Sequence, residues 1–307
     1  MSIVTVNRAI VPTLWNNDLA AVASVGYDQQ VRVSWRFVPE TLNEMLDWAT
    51  VVEDDEEGSA GGCRLHHLVY ADGVAPDGDG GSCTVTLVLQ GFLGAHAVGV
   101  LGNWRGKERD AQMAVQFLVL ESGGYDVAFG AQVRALQNVR QLIAMRVGGD
   151  VDLMNESASS ISLRRRVFTK VNAVDADGVG IELTDAMDPQ GRARAMRSRW
   201  RVDHIIPVRF RRPNGSTIDV VPDALRRGDF VEVTATARIE VQRSRKRRGV
   251  FVQFEMHEIV RLLSAQEVKA MSHGPAVVSA AGSSKRPRVL SLAGARESAS
   301  GVGGKSA

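Results

Sequence analysis

The chain has 307 residues, 44% of them hydrophobic and 23% charged, with a formal net charge of +2, enough to bury a sizeable core in about two domains of ordinary size. It has no run of about 18 apolar residues, and Met1–Ala9 lacks the basic-then-apolar order of a secretory signal, so neither a spanning helix nor export is expected. Cys63 and Cys83 are too few for a disulfide framework, which makes an intracellular, reducing compartment the expectation.

Residues 1–150 read as an acidic, mainly β domain. Val31, Val33, Trp35 and Phe37 alternate with Arg32, Ser34 and Arg36, the period of a half-buried strand. Thr41 and Glu44 have capping-box spacing, and Leu42, Met45, Leu46 and Ala49 recur at helical intervals, predicting a helix over 41–52. Loops rich in Gly and acid follow at 53–62 and 72–82. Further strands are predicted at 83–91, 98–104, 113–121 and 125–136, which together suggest a barrel or sandwich. The stretch from Val147 to Ser160, rich in Gly, Asp, Asn and Ser, reads as a linker with a boundary near residue 155.

The two halves differ in charge. Residues 1–150 hold 10 Lys and Arg against 18 Asp and Glu, a balance of −8, whereas residues 151–307 hold 27 against 17, a balance of +10. A polyanion would therefore be drawn to the second half and repelled by the acidic run Glu53–Glu57.

In the second half, Val167, Thr169, Val171 and Ala173 alternate with Arg164, Arg166, Phe168 and Lys170, predicting a strand with a basic face that carries an aromatic ring. A short strand is predicted at 178–184, and another at 200–211 with Pro207 as a candidate break. Residues 230–241 and 250–259 read as a hairpin. Val231, Val233, Ala235, Ala237, Ile239 and Val241 form one apolar row, and Val250, Val252, Phe254 and Met256 form the row facing it. The intervening Gln242-Arg-Ser-Arg-Lys-Arg-Arg-Gly249 places Arg243, Arg245, Lys246, Arg247 and Arg248 in one turn. Five cations there repel one another unless an anion lies against them, and a phosphate backbone is the commonest polyanion. Residues 269–307, mostly Ser, Gly, Ala and scattered basic residues, are expected to be disordered. Within them Lys285-Arg-Pro-Arg has the composition of a nuclear import signal, which makes a nuclear location an expectation.

The stretch Ala224-Leu-Arg-Arg-Gly-Asp-Phe-Val-Glu-Val, the alternating strand after it, the basic turn and Gly249-Val-Phe-Val-Gln-Phe-Glu-Met-His resemble the closing half of an oligonucleotide-binding (OB) fold. The resemblance is to single-stranded DNA-binding domains of the replication protein A type and covers about residues 160–265. It implies that 155–268 is a basic OB-like barrel and that the turn 243–248 is the loop between its fourth and fifth strands. It also makes Asp175–Gly178 the loop between the first and second strands, where two aspartates depart from a binding loop's usual base. The fold class expected is thus mainly β: two β-barrel or OB-like domains, one or two short helices and a disordered C-terminal tail.

A single-strand site needs cations to follow phosphates and aromatic faces to stack bases. The candidates are Arg164, Arg166, Phe168, Lys170, Arg199, Trp200, Arg201, Arg209, Arg211, the five turn residues and Phe251. Phe168 and Phe251 occupy the parity opposite their strands' apolar rows, which predicts exposure. Gly191-Arg-Ala-Arg-Ala-Met-Arg-Ser-Arg-Trp-Arg adds loosely spaced arginines suited to clamping phosphate.

Other chemistry is less well supported. Cys63, His66, His67 and Cys83 do not reproduce a paired zinc-knuckle spacing, the Gly-Lys-Ser near the end lacks the first glycine and the following helix of a phosphate-binding loop, and no histidine sits in a nucleophile motif. The expectation is a protein that binds single-stranded nucleic acid, DNA favoured, with no catalysis, cofactor, metal or membrane. The alternative is a structural or assembly protein that self-associates through its oppositely charged β domains, the arginines answering Glu53–Glu57 of a neighbour; a protein partner or self-association through the acidic N-terminal domain is the further partner expectation.

Overall fold

The computed structural model describes residues 1–27, 34–54, 63–75, 83–151, 159–171, 180–243 and 248–272. In chain order the strands are β1 (Ser2–Val6), β2 (Ala9–Ile10), β3 (Phe37–Val38), β4 (Ala49–Glu53), β5 (Cys63–Tyr70), β6 (Thr86–Ala97), β7 (Val115–Glu121), β8 (Asp150–Val151), β9 (Ser160–Arg166), β10 (Phe168–Lys170), β11 (Trp200–Val202), β12 (Val208–Arg211), β13 (Thr217–Asp219), β14 (Phe230–Arg243) and β15 (Arg248–Leu263). The helices are α1 (Asn17–Ala23), α2 (Leu42–Trp48), α3 (Asp126–Val147), α4 (Arg192–Ala195) and α5 (Ala265–Ser272). The expected disordered tail and the import-like Lys285-Arg-Pro-Arg lie outside the described residues.

The hairpin of β14 and β15 organises the sheet. Its antiparallel ladder runs from Phe230↔Leu263 to Arg243↔Arg248, with irregularities at Phe230/Val231 and Thr234/Ala235. As the apolar alternation predicts, Val231, Val233, Ala235, Ala237, Ile239 and Val241 are buried, and so are Val250, Phe254 and Met256. The other edge of β14 is shared. Its first part pairs with β6, from Phe230↔Phe92 to Thr236↔Thr86, and its second part pairs with β5, from Arg238↔His67 to Gln242↔Cys63.

These pairings correct the expected organisation. Strands on both sides of residue 155 share one mixed sheet, and Met1–Ser272 forms one compact unit. The linker-like stretch, of which residues 152–158 lie outside the described residues, does not separate two sheets, because the edge of β14 is completed by strands from the first half. The sheet follows the path β13-β12-β15-β14-β6-β1-β2 with further strands branching from it, and among the described residues it does not close into two barrels. β9 does come back to β15 without a ladder: Gln253 Nε2 donates to the Arg164 carbonyl and Arg165 Nη1 to the Met256 carbonyl.

Local predictions change in several places. The region expected as a strand at 125–136 is the start of α3, a 22-residue helix. Over the full segment Phe129, Leu136, Val139, Leu142 and Ile143 recur at helical spacing and are all buried, whereas a short window shows only the accidental alternation of Tyr125, Val127, Phe129 and Ala131. Gln132 on α3 bonds both backbone groups of Gln90, which ties the helix to β6. Residues 98–104 turn instead of extending. Gly102 has φ +54, and a Cβ there would sit 2.2 Å from the Val115 carbonyl oxygen, so the sharp return onto β7 requires glycine.

The helix predicted over 41–52 has its capping box, with Thr41 and Glu44 each bonded to the other's backbone N–H, but it stops at Trp48. Thr50, Val51 and Val52 are β-branched and continue as β4, paired to β5. Residues 31–33 of the first predicted strand lie outside the described residues, while Ser34–Arg36 form a 3-10 turn and Phe37–Val38 pair with β1. Among the described residues of 178–184 no strand forms, although Ile181 N bonds the Val202 carbonyl. No helix among the described residues is long and apolar enough to cross a membrane.

A smaller apolar cluster stands apart from the main core. It contains Ala111, Ala114, Val167, Phe168, Leu183, Ala193, Met196 and Val202, with Trp104 and Trp200 packed against it. β10 and β11 pair within it, Phe168↔Val202 to Lys170↔Trp200. Asp188, buried at 2% exposure, accepts from the backbone N–H groups of Arg192 and Arg194 and so fixes the first turn of α4.

Candidate nucleic-acid interface

The hairpin's distal end brings together the most suggestive groups. Arg243 and Arg248 form the last backbone pair of the ladder. Arg245, Lys246 and Arg247 lie outside the described residues. Phe251 is 50% exposed, and no other aromatic residue among those described belongs to the exposed large hydrophobic side chains. Its ring reaches back along the strand over Gly249, where an added Cβ would meet it at 3.4 Å. A flat apolar face is therefore held beside the cationic end by a rigid ladder.

Most of the other predicted cations have carboxylate partners. Arg166 pairs with Glu240 at 3.3 Å, Arg199 with Glu108 at 2.6 Å and Arg201 with Asp203 at 2.7 Å. Arg209 bridges Asp219 at 3.0 Å and Glu258 at 2.5 Å. Arg211 is the most enclosed: it reaches Glu232 at 2.6 Å with both side chains about nine-tenths buried, and Gln90 holds the other carboxylate oxygen. Burial and the neighbouring Glu232 push the Tyr27 hydroxyl's pKa upward at the same spot. By contrast, Arg164 and Lys170 are exposed and have no ion pair among the described residues.

Phe168 does not present the open ring that its parity suggested. It is 4% exposed and meets Trp104 edge to face at 5.0 Å. The run from Arg164 onward is broken at Val167, whose N–H bonds the Ala114 carbonyl, so the alternation is interrupted and Phe168 turns into the small cluster. Trp200 is partly exposed on the same cluster, and Phe210 stacks under the Arg261 guanidinium at 4.7 Å.

Beside this cluster lies an open cleft of about 750 Å³ between β10, β11, residues 180–183 and α4. Phe168, Ile181, Leu183 and Trp200 form apolar wall, and Arg194, Arg197 and Arg201 stand around it with Glu182. Arg194 is held by Asp185 at 2.7 Å, while Arg197 is exposed and has no ion pair among the described residues. The sequence had drawn attention to the arginines of 191–201 without indicating a cleft, which depends on residues 180–183 lying alongside β11.

Behind the hairpin, His257 occupies the irregularity of the ladder. Arg165 can only donate, so its 3.0 Å contact makes His257 Nδ1 the acceptor and leaves Nε2–H to donate to Thr236 Oγ1 at 2.7 Å. Burial first, then the Arg165 and His204 charges, push the His257 pKa down to about 4. His66 is buried on β5, and His67 bonds Asp54 at 2.9 Å.

No protein-family model matches the chain, and no curated protein matches it. Among solved structures it is similar to the single-stranded DNA-binding protein from bacteriophage Enc34, at 9% identity and a TM-score of 0.27, over 70% of this chain and 90% of that one. A C-terminal truncation of that protein gives 8% identity and a TM-score of 0.29 over 67% and 91% of the two chains. Its complex with ssDNA gives 10% and 0.26 over 68% and 96%.

Proposed function

We propose that this protein binds single-stranded nucleic acid, DNA favoured, with the distal end of the β14–β15 hairpin as the primary contact, and that it acts as a binding protein and not as an enzyme. The observation that carries the reading is Phe251. A half-exposed aromatic ring on a rigid strand loses hydrophobic stabilisation in water, and that loss is recovered when a base stacks on it. Arg243 and Arg248, the last pair of the ladder, with three more cations between them in sequence, supply the charge that phosphates neutralise.

The strand path supports an OB-like reading of the core in modified form. β9, β7, β6, β14 and β15 are successive neighbours, and β9 returns against β15. On that reading the five strands come from both halves of the chain, and the cationic turn corresponds to the loop between the fourth and fifth strands, one of the loops with which OB folds hold oligonucleotides.

The test is fluorescence anisotropy with single-stranded DNA, duplex DNA and RNA at several salt concentrations. Replacing Arg243, Arg245, Lys246, Arg247 and Arg248 with Ser or Gln is expected to weaken binding and to make the slope of log K against log salt shallower, by about 0.7 per lost contact and up to roughly 3.5 in all. Phe251→Ala is expected to lower affinity by about 1 to 3 kcal/mol with little change in slope. Unchanged affinity and slope in a folded turn variant would overturn the reading, and salt-sensitive self-association in its place would favour the assembly alternative.

A further inference from the structure

We infer that the cleft beside Trp200 is a second base-binding site on the same path, taking one unstacked nucleobase of the strand held at the hairpin, with Arg197 and Lys170 on its phosphates. The inference rests on the proposed single-strand binding and adds to it a site remote from the turn.

Three observations lead there. The first is proximity. Arg166, the last residue of β9, reaches Glu240 at 3.3 Å, and Glu240 is the ladder partner of Phe251. Phe168, in the wall of the cleft, follows Arg166 by two residues, a reach of about 7 Å in extended chain. The hairpin's exposed ring and the cleft therefore flank one junction, where β9 leaves the sheet and enters the smaller cluster.

The second is chemistry. Trp200 offers a partly exposed indole at the side of a recess that combines an apolar wall, formed by Phe168, Ile181 and Leu183, with the guanidinium groups of Arg194, Arg197 and Arg201. A nucleotide unit fits such a recess better than a free phosphate or a sugar does, because the apolar wall rewards burial of a planar π-face while the cations beside it suit the phosphate that the base carries. The cavity, about 750 Å³, is of the size that holds a small organic ligand.

The third is the placement of uncommitted charge. Lys170 is directly opposite Trp200 in the β10–β11 register, and Arg197 lies in the turn that leads from α4 into β11. Both are exposed, and neither has an ion pair among the described residues, in contrast to Arg194, Arg199 and Arg201, which are held by carboxylates. Cations available to a ligand thus stand next to the indole, the pairing that a nucleotide unit requires.

The experiment is photo-cross-linking of the full chain to an oligothymidine of roughly 16 nucleotides, the upper site size of one OB fold, in which 5-iododeoxyuridine replaces thymidine, followed by peptide mapping. The expected result is adducts at Trp200 as well as Phe251. The Lys170→Ala, Arg197→Ala double variant is expected to bind with a salt slope shallower by about 1.4, two contacts' worth. Trp200→Ala is expected to weaken binding roughly 5- to 150-fold. Because Trp200 also packs on the cluster, its truncation could disturb the fold; the adduct on the unmodified chain and the slope of the surface double variant then decide. Binding with adducts only at Phe251, and an unchanged slope in the double variant, would overturn the cleft and leave the hairpin reading intact. Failure of the oligonucleotide to bind at all would overturn both.

Discussion

The β14–β15 hairpin is two different objects along its length. From Phe230 to Val241 it is trunk: one face is buried in the main core, and the other carries Arg238, Glu240 and Glu255, which neutralise one another through contacts of 3.2 and 3.5 Å. Near the turn the outward face changes: Phe251, the ladder partner of Glu240, is half-exposed, and past the buried pair Val241 and Val250 the ladder ends at Arg243 and Arg248. The trunk's side chains hold the fold, whereas Phe251 buries only half of its ring in it. The same contrast separates the cations of the second half. Arg166, Arg199, Arg201, Arg209 and Arg211 answer carboxylates of this chain, while Arg164, Lys170 and Arg197 face solvent. A basic composition is therefore a poor guide to a basic surface, and only the uncommitted cations count towards a polyanion site.

The strongest way to break this contrast is to remove what the trunk leans on. A fragment of residues 155–268 loses β5 and β6 from the edge of β14 and α3 from its core, so it is expected to be unfolded or insoluble, as judged by circular dichroism and gel filtration. A folded, monomeric fragment would restore the two-domain organisation that composition suggested.

Next in size is a matched pair within the hairpin. Ile239, fully buried on the trunk, is expected to cost about 2 to 5 kcal/mol of stability when changed to alanine. Denaturant unfolding at saturating signal measures that loss, and oligonucleotide affinity of the folded fraction should stay put. Phe251→Ala is expected to show the reverse, affinity lost and unfolding midpoint unchanged. Equal effects of both substitutions on both measurements would erase the distinction between trunk and end.

A pH titration sharpens the trunk's polar side. His257 is held neutral by burial and by Arg165, so its folded pKa lies below the 6.5 of the unfolded chain. The unfolded state then binds the extra proton first, and the stability due to this group is complete above about pH 6.5 and is lost as pH falls towards 4. Thermal melts across that window are expected to shift downwards in the unmodified protein and less in His257→Gln, whose amide can still accept from Arg165 and donate to Thr236. Parallel shifts in both would show that other groups govern the acid response.

The smallest effect is expected at Arg209. Its guanidinium is partly exposed and already bridges Asp219 and Glu258, so Arg209→Gln should change stability by no more than about 1 kcal/mol. The salt slope of single-strand binding should not change. A slope shallower by a full contact would mean that Arg209 exchanges its carboxylates for phosphate, and the division between committed and free arginines would need redrawing.

What the sequence by itself determined is local. The alternation of 230–241 and 250–256 is long enough to fix a hairpin and its buried face, Thr41 and Glu44 fix a helix start, and the parity of Phe251 fixes its exposure, because each depends on neighbours in the chain. Parity failed for Phe168, since one residue outside the pattern at Val167 resets which way the following side chains point. The tertiary structure decided the rest. β14 finds β5 and β6 more than a hundred residues away, Arg211 finds Glu232 inside the core, and residues 180–183 lie along β11 to form the cleft. Pairings at such separation leave no period or spacing in the sequence. They arise because an unpaired strand edge and an unpartnered buried charge are both costly, and the chain folds so that each is met.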